Sequence, residues 1–168
     1  TEPDGPKMTL YETFESVESM RAHGAILNGE GASAVVPGFD GSGFWLGVGN
    51  FLTYPAKGVI HPKNGTIEFW VCPKTRWNDG MEHHLLTIGS EDAFSLIKSD
   101  RDDLRLTLHG KSIGFYQVNP ILGETPPHQW RSGWNHVAVT WRNLDTDDNG
   151  ELVLMLNGVV RNYLVDEL

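Results

Sequence analysis

Apolar and polar residues alternate with a period of two along most of this chain. That is the pattern of β-strands with one face buried. In Thr66-Ile67-Glu68-Phe69-Trp70-Val71, the odd positions Ile67, Phe69 and Val71 share one face, which predicts a core. In Asp103-Leu104-Arg105-Leu106-Thr107-Leu108 the leucines face one way, and Arg105 and Thr107 the other. Glu151-Leu152-Val153-Leu154-Met155-Leu156 is apolar on both faces, so it is expected centrally or beneath another layer. Further strands are expected at Thr9–Phe14, His84–Ile88, Phe94–Lys98, Ser112–Val118, Trp134–Trp141 and Val159–Leu164.

Turn chemistry separates these runs. Asn157-Gly158, between two apolar segments, is the strongest hairpin signal. Asp40-Gly41-Ser42-Gly43, Asn64-Gly65, Asn78-Asp79-Gly80, Pro126-Pro127 and Asp148-Asn149-Gly150 are read as further turns or loops. One short helix is expected over Ser16–His23, with Ser16 as its cap and Gly24 as its stop. Many short strands with turn signals between them predict an all-β antiparallel sandwich or barrel. Residues 1–8 read as a linker or trimmed terminus, and 9–168 as one domain, a usual size for a single core.

Composition narrows the partners. The net charge is −9, with 13 Lys and Arg against 22 Asp and Glu. A duplex-binding surface must neutralise phosphates with basic residues, so nucleic acid is not expected as a partner. No apolar run approaches the ~20 residues of a membrane span. Cys72 is the single cysteine, which rules out an intramolecular disulfide and a thiolate cluster. It has no nearby base and reads as a partly exposed, inert thiol.

Three segments resemble one family. Gly65-Thr66-Ile67-Glu68-Phe69-Trp70-Val71 followed by Pro73, then Trp134-Asn135-His136-Val137-Ala138-Val139-Thr140-Trp141, then Leu154-Met155-Leu156-Asn157-Gly158-Val159-Val160, are similar in order and spacing to laminin G-like jelly-roll domains of the concanavalin A-like lectin and glucanase superfamily. Asn50-Phe51-Leu52-Thr53-Tyr54 sits where that family often has an early strand. The resemblance implies two antiparallel sheets packed face to face in a jelly roll. It also implies glycan or protein binding, often with structural calcium, in an extracellular or cell-surface module of a larger protein. Catalytic members place carboxylates as E-x-D-x-x-E on one strand, and retaining hydrolysis needs two carboxyls about 5–5.5 Å apart. This chain lacks that spacing, so a non-catalytic module is expected.

Candidate chemistry follows from residue types. A pyranose presents an apolar face to an exposed aromatic, with polar groups around it for the hydroxyls. Trp70, Trp134 and Trp141 lie in strand signatures and read as packing residues. Trp77 with Asn78 and Asp79, Trp130, Trp45 and Tyr54 lie in or near connections and are the candidate ligand contacts. Whether these and Tyr116 gather on one exposed surface separates carbohydrate binding from a structural or protein-interaction role. Asp145-Thr146-Asp147-Asp148-Asn149-Gly150 opens like an EF-hand loop, but Leu156 stands where the bidentate Glu belongs. Asp145, Asp147 and Asn149 therefore remain candidate ligands of an irregular Ca²⁺ loop, against a plain acidic turn. His83 and His84 are adjacent on a strand and point to opposite faces, which disfavours joint chelation. His136 reads as a buried, hydrogen-bonded histidine. Asn64-Gly65-Thr66 fits a glycosylation sequon.

Overall fold

The computed structural model describes residues 7–74, 76–77, 79–90, 93–108, 111–114, 130–143 and 150–164. Strands dominate it, all paired antiparallel, with one short helix. The chain divides into two compact units, Thr1–His61 and Pro62–Leu168, where the sequence reads as one domain.

The first unit holds helix α1 (Val17–Ala22) and strands β1 (Ile26–Asn28), β2 (Ser33–Pro37), β3 (Ser42–Leu46) and β4 (Phe51–Thr53). Ser16 caps α1 as expected, its hydroxyl accepting from the Ser19 N–H at 2.9 Å. Gly24 ends it at φ +90, a conformation that costs a side-chain-bearing residue energy. Strand β1 pairs with β4, and β2 pairs with β3 around the Asp40-Gly41 turn. The Asn50 amide, just before β4, reaches the segment that leads into β2, accepting from Gly31 N–H at 2.8 Å and donating to Ser33 Oγ at 2.6 Å. The strand expected at Thr9–Phe14 does not form. Glu12 Oε1 instead accepts the Phe14 N–H at 3.1 Å, and Phe14 takes φ +57, which breaks an extended chain.

The second unit holds two four-stranded sheets. One has the order β12 (Val159–Leu164), β11 (Glu151–Leu156), β10 (Asn135–Arg142), β5 (Asn64–Val71). The other runs β6 (His83–Thr87), β7 (Phe94–Lys98), β8 (Leu104–Leu108), β9 (Lys111–Gly114). Three bounds match the alternation residue for residue: β7, β11 and β12. Asn157 and Gly158 form the β11–β12 turn with φ +51 and +86, the left-handed pair of a type I′ hairpin.

Alternation also fixes the core. Val137, Val139 and Trp141 of β10 and Leu152, Leu154 and Leu156 of β11 are buried on one face of the first sheet. Leu104, Leu106 and Leu108 are buried from β8, and Phe94 and Leu96 from β7. The Phe94 and Trp141 rings lie 6.2 Å apart, so the two sheets meet there. Ile67, Phe69 and Val71 share a face as predicted and are half-buried. Asn64-Gly65 is not a turn but the start of β5. Any Cβ at position 65 would collide with the Trp141 ring, so the glycine serves packing.

Candidate functional site

The second sheet carries a cluster that joins three of the sequence-predicted residues. Trp77 and Trp130 stack with centroids 4.5 Å apart, and His83 meets Trp77 edge-on at 5.8 Å. Asp79 Oδ2 lies 2.7 Å from His83 Nε2, while Asp79 Oδ1 accepts from Lys98 Nζ at 2.6 Å. Lys98 is fully buried, because β7 is covered on both faces. It also donates to the Met81 carbonyl at 2.8 Å and pairs with Asp102. Burial alone would lower the Lys98 pKa, but the hydrogen bonds to Asp102 and Asp79 outweigh it and raise the value. The bond from Lys98 holds the Asp79 carboxyl well below the usual range; His83 and the Met81 N–H add to this against burial.

This cluster differs from a sugar platform. Trp77 is only 6% exposed, where the sequence suggests a loop-exposed indole. Its role is to back Trp130, which is half-buried. Both indole Nε1 atoms are buried with no acceptor among the described residues. Asn78 lies outside the described residues.

Two other candidates, Trp45 and Tyr54, lie in the first unit. Trp45 is half-buried on β3, opposite Ala34. The Tyr54 hydroxyl donates to Glu12 Oε2 at 3.0 Å, and His23 Nδ1 lies 3.1 Å from the same oxygen. Burial, then Glu12, pushes the Tyr54 phenol well above its ordinary value. Beside this network an open cavity of about 480 Å³ is lined by Met8, Leu10, Tyr11, His23 and Val59, among others. Tyr116 and the calcium candidates Asp145, Asp147 and Asn149 lie outside the described residues. Among the described residues no group of three or more His, Cys, Asp or Glu is placed to hold a metal.

A second cluster lies on the face of the first sheet opposite the core. Trp70 is 41% exposed there, which corrects its reading as a packing residue. Trp134 is half-buried, and Trp141 alone of the three is a core residue. Trp70 stands directly across from His136, ring centroids 5.0 Å apart and tilted 37°. His136 is half-buried rather than fully buried, with Nε2 3.4 Å from Glu68 Oε2. Next to them runs the row Glu68, Ala138, Met155, Val160, then Thr66, Thr140, Val153. The Thr66 and Thr140 hydroxyls lie 3.0 Å apart. The parity of β5 could have found this surface: if Phe69 points inward, Trp70 points outward.

Chemically, the Trp70 surface sets a 41% exposed indole beside a carboxylate, an imidazole and hydroxyls. Such a set suits stacking plus hydrogen bonding to a polar ring. Among the described residues no helix is long and apolar enough to cross a membrane. No family model matches the chain, and no curated protein or solved structure is significantly similar to it.

Proposed function

We propose that the chain is a non-catalytic carbohydrate-binding module of a larger protein, with the Trp70 face of the first sheet as its contact surface. The observation that carries this reading is the exposed Trp70 ring flanked by Glu68 and His136. Trp130, backed by Trp77 and beside Asp79 and His83, is an auxiliary contact in this reading. The two four-stranded sheets are the layers of a laminin G-like jelly-roll sandwich, a reading supported by the Phe94–Trp141 contact and the three sequence motifs. The family resemblance extends the proposal to an extracellular or cell-surface setting. Calcium at Asp145, Asp147 and Asn149 is supported by their D-x-D-x-N-G spacing.

A structural or protein-interaction role is the second reading. The apolar row of Ala138, Met155 and Val160, with Val153 beside it, favours it on the same face. A glycan array separates the two. Binding that is lost in Trp70→Ala supports the module. No glycan bound by the unmodified protein leaves the interaction reading.

A further inference from the structure

We propose that Asn64 is an N-glycosylation site, occupied when the chain passes through a eukaryotic secretory route; this rests on the extracellular setting proposed above. Asn64-Gly65-Thr66 is the single Asn-x-Ser/Thr sequence in the chain, so an N-linked glycan has only this place to attach. Asn64 is exposed and is the first residue of β5, the end strand of its sheet as described. Strand parity puts it on the outward side with Thr66, Glu68 and Trp70, while Ile67, Phe69 and Val71 turn inward.

The orientation of the amide carries the inference beyond the sequence pattern. Asn64 Oδ1 accepts the Asn143 N–H at 3.1 Å. A backbone N–H can only donate, so this bond fixes which end of the amide is oxygen. Nδ2, the atom that carries an N-linked glycan, is the other end, and it makes no hydrogen bond among the described residues. Asn135 and Asn157 differ, since their Nδ2 atoms are spent on hydrogen bonds in the fold. A secretory transferase would move an oligosaccharide from a lipid pyrophosphate donor to Asn64. The bond from sugar C1 to the pyrophosphate oxygen breaks, a C1–Nδ2 bond forms, and one amide proton leaves. The amide carbonyl survives the transfer, so the bond to Asn143, which sits at φ +55, is kept. Asn64 and Trp70 are six residues apart on one strand, roughly 20 Å at ~3.3 Å per residue. The attached sugar therefore starts clear of the Trp70 surface.

The competing explanation limits Asn64 to an acceptor for the turn that follows β10. Expression of the full chain behind a cleavable secretion leader in cultured mammalian cells decides between them. The secreted chain is expected to run at a higher mass that peptide-N-glycosidase collapses, leaving an aspartate at position 64 in peptide mass spectra. Asn64→Gln and Thr66→Ala lose that added mass. Thr66→Ala leaves the Asn64 amide and its bond to Asn143 in place, so its loss of the glycan is not a loss of the cap. Thr66→Ser keeps the glycan. A secreted chain without a glycan, or a glycan that survives Thr66→Ala, overturns the inference and leaves the extracellular setting standing. A chain that never reaches the medium, glycosylated or bare, removes the extracellular setting as well.

Discussion

Asn157 Nδ2 donates to Asn135 Oδ1 at 2.9 Å, which ties the β11–β12 turn to the first residue of β10. Asn135 is fully buried and saturated: Arg131 N–H donates to its Oδ1 at 2.8 Å, and its Nδ2 reaches the carbonyls of Arg131 and Gly133. Asn157 in turn accepts from His136 N–H at 3.0 Å. Two asparagines far apart in sequence thus set the register of the central strands.

Asn135→Ala removes that hub and leaves the part-buried Arg131 N–H and the Asn157 amide without their partner. Each such group costs ~1–3 kcal/mol, so a loss of about 3 kcal/mol is expected. Urea unfolding should show a lower midpoint at an unchanged slope. A loss under ~0.5 kcal/mol, the range of surface substitutions, would contradict the hub.

Legibility in the sequence followed burial. The alternation gave β7 and β11 their observed bounds because one of their faces, or both, packs in the core, and β12 follows from β11 through the Asn157-Gly158 turn. Strands β1 and β4 are three residues each and largely exposed, so no alternation announced them. Glycine was ambiguous: Asn157-Gly158 is a turn, whereas Gly65 clears space for Trp141. The burial of Trp77 was not legible because its cover is Trp130, a residue brought near only by the tertiary fold.

Lys98→Met leaves Asp79 and Asp102 without their shared cation. Breaking a buried pair costs ~3–5 kcal/mol. The partial exposure of both carboxylates places the expected loss near the lower bound, about 3 kcal/mol. The pH dependence carries the sign. Asp79 has a folded pKa depressed chiefly by Lys98, so its contribution is complete above the unfolded value near 4 and is lost as pH falls below it. Thermal melts from neutral to acid should show a steeper decline below about pH 4 for the unmodified protein than for Lys98→Met. Parallel acid limbs would exclude the coupling.

Gly65→Ala tests the cradle under Trp141. A strand glycine changed to alanine ordinarily gains stability, because glycine weakens a strand by roughly 0.5–1 kcal/mol. Here the new methyl meets a buried indole. Overpacking of this kind costs ~1–3 kcal/mol, so the sign reverses. A higher melting midpoint in the variant would refute the packing role.

Trp70 and Trp77 make opposite predictions from one type of substitution. Trp77 is buried and stacked on Trp130, so Trp77→Ala opens a cavity and should cost ~3–5 kcal/mol. Trp70 is exposed and touches His136 across the strands, a pair worth ~0.2–1 kcal/mol to the sheet. Trp70→Ala should therefore keep its melting midpoint within a few degrees. Ligand binding runs the other way. A contact aromatic at a binding surface typically costs ~2 kcal/mol or more when truncated, above a tenfold loss of affinity. Glycan affinity should fall at least about tenfold in Trp70→Ala. Trp130→Ala, which removes the half-exposed member of the stack, isolates the auxiliary contact. If Trp130→Ala abolishes binding and Trp70→Ala leaves it intact, the contact surface belongs to the second sheet. A large fall in the Trp70→Ala melting midpoint would return Trp70 to the packing role its strand motif first suggested.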